Sequence, residues 1–573
     1  MHLQLKTYFL LFLLVFVLGS SFLIYKEAFP QGEFRSPIKY KIALSGTYGE
    51  LRPNHFHAGI DIKSANGGSG ADIVAAADGY ITRIKVRSGG YGNAIYMNHP
   101  NGYTTVYAHL SKFGPAIAKY VKKKQYEKES FSVDLHPPSD LFRFRKGEVI
   151  GLMGNTGTSS GPHLHFEIRD RRTEEPLNAL RFGLPLKDNI APKLHKLKTY
   201  LLDDQLFPFQ EKEIKLIKKG NKYHLSSGDT LVVGSNQLGL ALKAFDHMEG
   251  SSSWNGIYAI SMKIDGHPAY SFQLDRFSFS DTRMVNAHLD YEDKVTKNST
   301  YHRLYTLPGN RLKIYNQKEG ILRFSDRSTH KVEIQVADAP GNKANLVFWI
   351  RKGELIPQPE KVFNYLFNYN QPNDVEFGGL TCQFPTNTFY ENIYFKMDMT
   401  HKNKDKVIGP VYKVHELTTP VQRYFKISIP ADMLTAEQRA KAYIAHKDKK
   451  GRWKNAGGKW KFNKMEGRVR SLGEYAIMVD DTPPVIKPKR FSNNMSKYKT
   501  MSFKVTDDVS TTGTAKSLRY RATVDGKWVL MEFRGSTLTY TFDRHVPKGQ
   551  HKLKIVATDG VGNQTVFERK FIR

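Results

Sequence analysis

Cysteine is all but absent. The 573 residues contain one, Cys382, so no intramolecular disulfide can form and stability must come from packed cores. Acidic residues are few beside basic ones. Asp+Glu number 55 and Lys+Arg 86, for a net charge of +31. Such an excess attracts anionic polymers in general, but no nucleic-acid-binding motif accompanies it and no nucleic-acid partner is expected. The glycine-rich stretch Gly154-Asn-Thr-Gly157-Thr-Ser-Ser-Gly161 lacks the Gly-Lys-Ser/Thr ending of a phosphate loop and leads into a strand, which excludes nucleotide binding there.

What is present reads as globular and modular. Charged residues make up 25% and hydrophobic ones 40% of the chain, outside the disordered range. At roughly 100–200 residues per domain, the length suggests three to five domains. Residues 1–26 stand apart: Lys6, an apolar run from Tyr8 to Tyr25, then Lys26. This is the pattern of an export signal, and the run is just long enough to span a bilayer. It is expected to be a signal peptide or an N-terminal membrane anchor through residues 7–25, with the body exported to the periplasm or cell envelope. With no cysteine near the run, a bacterial lipoprotein anchor is excluded.

The expected architecture is mostly β. Residues 27–187 form one β-sheet domain with an insertion at about 115–144, residues 188–355 and 481–573 form β-sandwiches, and residues 356–480 form a β-rich middle domain. The sandwiches are suggested by an internal repeat. Val332-Glu-Ile-Gln-Val-Ala-Asp338-Ala-Pro-Gly341-Asn342 is matched by Leu553-Lys-Ile-Val-Ala-Thr-Asp559-Gly-Val-Gly562-Asn563. Both are alternating strands that close on Asp-x-x-Gly-Asn, in the manner of immunoglobulin-like modules. Each region starts at a Pro-rich junction, Asp188-Asn-Ile-Ala-Pro192 and Asp480-Asp-Thr-Pro-Pro484. Within the first domain, Pro37–Leu44 reads as an edge strand and Ile73–Arg87 as a hairpin about Asp78-Gly79. Ala431–Ile444 reads as a short helix. Trp453 and Trp460 read as a hairpin with core tryptophans rather than a sugar platform.

Chemistry is concentrated between His57 and Glu167. Three short segments carry it: His57-Ala-Gly-Ile-Asp61, Tyr107-Ala-His109-Leu110 and Pro162-His163-Leu164-His165-Phe166-Glu167. Residues i and i+2 of a strand share a face. His163, His165 and Glu167 therefore point one way while Leu164 and Phe166 face a core. Imidazole and carboxylate are the donors Zn²⁺ takes in a tetrahedron with one open position. His55 reads as a loop residue near the site and His99 as a turn residue. The 115–144 insertion is either a wall of a substrate groove or a surface loop.

These motifs, with Val74-Ala-Ala-Ala-Asp78-Gly79 and Gly89-Gly-Tyr-Gly92-Asn93, resemble those of the lysostaphin-type, LytM-like zinc metallopeptidases over about Pro37–Leu184. The resemblance implies one Zn²⁺ per chain held by His57, Asp61 and His165, with His109 and His163 assisting catalysis. It implies peptidoglycan cross-link peptides as substrate and the cell wall or envelope as partner. No HExxH glutamate is present, and Glu167 is expected to support the site rather than act as base. The alternative is a non-enzymatic wall-binding scaffold or activator of other hydrolases. Because every catalytic motif precedes Leu184, the region after it is expected to be dispensable for bond cleavage and to carry no ligand constellation.

Overall fold

The computed structural model describes residues 29–401 and 406–573. The N-terminal apolar run therefore lies outside the described residues. Among those described, no helix is long and apolar enough to cross a membrane.

The first unit is a β-sheet whose order is Leu44–Gly46, Ile60–Lys63, His163–Asp170, Tyr103–Ala108, Ala94–Asn98, Gly79–Val86 and Val133–Leu135. The strand His163–Asp170 is central. Its Leu164, Phe166 and Ile168 are fully buried in the core, as a two-residue period requires. The strand bearing Asp61 flanks it on one side, with His165 opposite Asp61 and His163 opposite Lys63. Tyr103–Ala108 flanks it on the other, with His165 opposite Ala108, so the chain leaves that strand directly at His109. Register alone thus gathers four of the five candidate side chains.

Some local expectations give way to tertiary partners. Asp72–Val74 and Gly79–Val86 form no hairpin: the first pairs with Val149–Leu152 in a separate small sheet, the second with Ala94–Asn98. Alternation marks a strand but does not choose its partner. The edge strand is shorter and later than expected, Leu44–Gly46, and the helix near residue 436 spans only Ala436–Lys441 before the chain turns into Ala442–Lys447. The insertion supplies a helix, Pro115–Glu127, with proline in its first turn, and the strand Val133–Leu135, which extends the main sheet.

Residues 193–352 form a hydrogen-bonded array of twelve strands among the described residues. Two five-stranded sheets follow around Phe384, Phe395 and Phe425, then two four-stranded sheets around Phe503, Leu553 and Ile555. The first two units share one continuous apolar core. Tyr48 stacks on Phe277 at 5.2 Å, and Phe56 lies 5.3 Å from the same ring. The loop that delivers His57 is thus packed by the second unit, which bears on the expectation that everything after Leu184 is dispensable. The last unit folds back on the insertion helix, where Lys122 pairs with Asp543 at 2.6 Å and Tyr126 stacks on His545 at 3.7 Å.

Candidate metal centre

The loop before His57 is shaped from two sides. Asn54 adopts a left-handed backbone, φ 64°, and its side-chain oxygen accepts from Asn286 Nδ2 at 3.0 Å. The Phe56 N–H donates to Thr282 Oγ1 at 2.9 Å. Gly59, between His57 and Asp61, lies against the central strand. A Cβ there would come within 2.3 Å of the Phe166 carbonyl oxygen, so only glycine allows the approach.

Three donor atoms then meet. His57 Nε2 is 2.9 Å from His165 Nδ1 and 3.1 Å from Asp61 Oδ1; His165 Nδ1 is 2.9 Å from Asp61 Oδ1. Zinc bonds of about 2.0–2.1 Å in a tetrahedron hold ligand atoms ~3.3 Å apart. The observed triangle is that arrangement slightly contracted, and its donor set suits zinc. All three residues are buried, so water does not compete from behind.

A second layer orients the donors, as metal-binding histidines usually require. His57 Nδ1–H donates to the Thr47 carbonyl at 2.7 Å, leaving Nε2 free to ligate. His165 Nε2–H donates to Glu167 Oε1 at 2.7 Å, leaving Nδ1. Glu167 is fully buried; Tyr91 donates to its Oε1 and Arg169 Nε to its Oε2 at 2.6 Å. The Tyr91 ring stacks on His165 at 5.1 Å. The other oxygen of Asp61, Oδ2, accepts from Arg52 at 2.6 Å, which leaves Oδ1 as its single ligating atom.

His109 and His163 stand beside this triangle, 4.7 Å apart between ring centroids. His109 Nδ1–H donates to the Thr156 carbonyl at 2.8 Å and His163 Nδ1–H to the Gly161 carbonyl at 2.8 Å. Each ring therefore keeps Nε2 as its free atom, and His163 Nε2 lies 3.5 Å from Asp61 Oδ1. The glycine-rich loop thus presents carbonyls to both rings. His109 has φ 61°, a conformation uncommon outside glycine.

Burial pushes His57 and His109 down to about 4. At His165 burial acts in the same direction, but the carboxylates of Asp61 and Glu167 outweigh it and raise the ring to about 9. Burial opposes the charge on Asp61, yet the surrounding imidazoles hold it well below the usual carboxylate range.

Strand parity places His163, His165 and Glu167 together, as observed. Sequence reasoning missed Arg52, Tyr91, Arg169 and Thr282. The parity rule reaches Arg169, two residues beyond Glu167; no local signal identifies Thr282, which acts from over 220 residues away. His55 is exposed and donates Nδ1–H to the Pro53 carbonyl. His99 is buried, held by the Asp78 carbonyl and Thr105. After Leu184, where no ligand constellation is expected, two acidic triads assemble that could hold a metal ion.

A family model described as peptidase family M23 matches residues 55–126 and 143–179, and a Zu5-like domain model matches residues 364–480. The DD-carboxypeptidase/endopeptidase Mpg of Neisseria meningitidis is 40% identical over 129 residues, covering 22% of this chain and 23% of its own length. The peptidoglycan DD-endopeptidase ShyA of Vibrio cholerae is 32% identical over 125 residues, with 22% and 23% covered. The match thus spans less than a quarter of these curated relatives. Among solved structures, the catalytic domain of lysostaphin from Staphylococcus simulans is 26% identical, covers 23% of this chain and 80% of its own, and has a TM-score of 0.16. The N-terminal part of this chain is therefore a peptidase domain of family M23, of the lysostaphin and LytM-like kind, joined to a Zu5-like domain and further β-domains.

Proposed function

We propose that the chain is a zinc-dependent endopeptidase that hydrolyses peptide cross-links of peptidoglycan, working in the cell envelope. The observation that carries this reading is the convergence of His57, Asp61 and His165 on one point, each with its remaining polar atom already engaged. The names of the relatives, peptidoglycan endopeptidases of two bacteria, support the substrate class. In this reading His57 Nε2, Asp61 Oδ1 and His165 Nδ1 hold one Zn²⁺. Zinc in such a site supplies a lowered pKa for bound water and a polarised scissile carbonyl.

The protein's own residues do the rest. Burial keeps His109 neutral, so at neutral pH its Nε2 takes a proton as general base and returns it to the leaving amine. His163 presents its Nε2 to the same space from the neighbouring strand position and assists in handling the proton. Glu167 and Arg169 hold the His165 tautomer. The domain boundaries at 187, 355 and 480, and export by residues 1–26, are part of the same proposal.

The test is digestion of purified sacculi by the full chain, with zinc content measured and product masses read. Cross-linked dimers should fall to monomers, and chelation should stop this. Stoichiometric zinc with intact sacculi and intact muropeptides would favour the scaffold.

A further inference from the structure

Six aspartates outside the peptidase domain, five of them buried and Asp507 half-buried, form two triads built on the same plan. In the first, Asp188, Asp246 and Asp338 bring one oxygen each within 4.8 Å of one another; in the second, Asp480, Asp507 and Asp559 do the same. The correspondence is positional. Asp188 and Asp480 each stand five residues before the first strand of their unit, Lys193–Leu202 and Val485–Arg490. Asp246 and Asp507 each follow directly on the strands Gln237–Phe245 and Thr500–Thr506. Asp338 and Asp559 each follow the penultimate strands Thr329–Ala337 and Gln550–Thr558.

Hydrogen bonding accounts for part of each triad. Asp338 Oδ1 accepts from the N–H groups of Gly341 and Asn342, and Asp559 Oδ1 from those of Val561, Gly562 and Asn563. Asn342 Nδ2 and Asn563 Nδ2 reach on to the carbonyls of Asp188 and Asp480. Asp338 Oδ2 and Asp559 Oδ2 accept from the same Asn342 and Asn563 amides, and Asp188 Oδ1 and Asp480 Oδ1 accept from the Ile190 and Thr482 N–H groups. Asp246 Oδ1 is unpartnered on a residue 3% exposed, Asp188 Oδ2 on one 7% exposed, and Asp507 Oδ1 is unpartnered as well. Asn255 adds an independent sign. It pairs antiparallel with Asp246, so the two side chains leave the same face. It is fully buried, and neither its Oδ1 nor its Nδ2 has a partner.

Buried carboxylates gathered this closely need a counter-charge. In a chain with 86 lysines and arginines, no ion pair among the described residues reaches any of the six. Burial and the two neighbouring carboxylates push Asp246 up to about 8, so a cation or a shared proton must occupy the triad. An all-oxygen carboxylate set suits a hard cation, and the absence of histidine and cysteine disfavours zinc or copper.

We propose that each triad is a Ca²⁺ site, one per β-domain, that ties the incoming linker to the closing Asp-x-x-Gly-Asn hairpin. Mg²⁺ fits less well, because it retains several waters and demands a small octahedron, whereas these donors converge from three separate segments.

The experiment uses the purified full chain, stripped of metal, reloaded with Zn²⁺ and dialysed against radioactive CaCl₂ at millimolar concentration. About two Ca²⁺ per chain should bind, with affinities on the order of those of extracellular calcium modules, 10⁻⁴–10⁻³ M. Asp246→Asn and Asp507→Asn should each remove one Ca²⁺, and the double variant both, with zinc content unchanged. The wild-type melting temperature should rise with Ca²⁺ and much less with equal Mg²⁺, a readout that needs no variant. A folded wild type that binds no Ca²⁺, and whose melting is insensitive to it, would overturn the proposal in favour of a shared proton. Calcium binding undiminished in the double variant, or matched by Mg²⁺, would overturn it as well.

Discussion

The Nε2–H of His165 donates at 2.7 Å to Oε1 of Glu167, a carboxylate with no exposed surface. The pair lies on one strand, two residues apart, so ring orientation is set by the pleat. Glu167→Gln keeps the shape but removes the charge that favours Nδ1 as the ligating atom. Zinc affinity is expected to fall about 10–100-fold, the usual cost of losing such a partner. Chelator competition measures it; unchanged affinity would mean that Glu167 serves only the core.

The histidines should divide into two classes. His165→Ala should lose zinc and activity together. His109→Ala and His163→Ala should keep near-stoichiometric zinc while the rate falls about 10²–10⁴-fold, the worth of a positioned acid or base. Metal analysis of the folded variants separates the classes, and zinc loss in His163→Ala equal to that in His165→Ala would contradict the division.

The second unit should be needed for the first. The fragment 27–187 uncovers Tyr48 and Phe56, now packed on Phe277. Burial of a large apolar side chain contributes about 1.5–3 kcal/mol, so for the two rings ~3–6 kcal/mol is lost, a large share of a domain's stability. Fragment 27–187 is expected to unfold or aggregate, whereas 27–355 should give a cooperative melt by circular dichroism. A stable, active 27–187 would refute the shared core.

Thr282→Val tests the same coupling more gently. It removes the oxygen that accepts the Phe56 N–H and leaves that donor without a protein partner, at a cost of about 1–3 kcal/mol. Because His57 follows directly, zinc affinity should drop although residue 282 touches no donor of the metal centre. Equal zinc affinity in the two proteins would show that the loop holds its shape unaided.

Acid should weaken the second unit through His288 and His302. The two rings are buried and hydrogen-bonded to each other at 3.2 Å. Burial holds His288 well below its ordinary value and lowers His302 to about 3. Below about 6.5 the unfolded chain takes up these protons and the folded one does not. Stability is therefore full above that pH and falls as pH drops, by up to about 1.4 kcal/mol per pH unit for each histidine. Denaturant titrations between pH 6.5 and 4 measure the slope, and a flat profile would rule this out.

Much of the centre is legible in the chain itself. Residue type limits the chemistry, and the two-residue period of a strand places His163, His165 and Glu167 on one face whatever the strand packs against. The Asp-x-x-Gly-Asn repeat is legible for a similar reason, since its turn is closed by its own backbone. Pairing is different, because any alternating strand can find several partners and only closure of the whole sheet selects among them. Asp72–Val74 therefore joins Val149–Leu152 rather than its neighbour in sequence. Thr282 braces the loop before His57 only once two units share a core. The aspartate triads likewise exist only when a linker and two distant strand ends meet. Local periodicity decides which way a side chain faces; long-range packing decides what it meets.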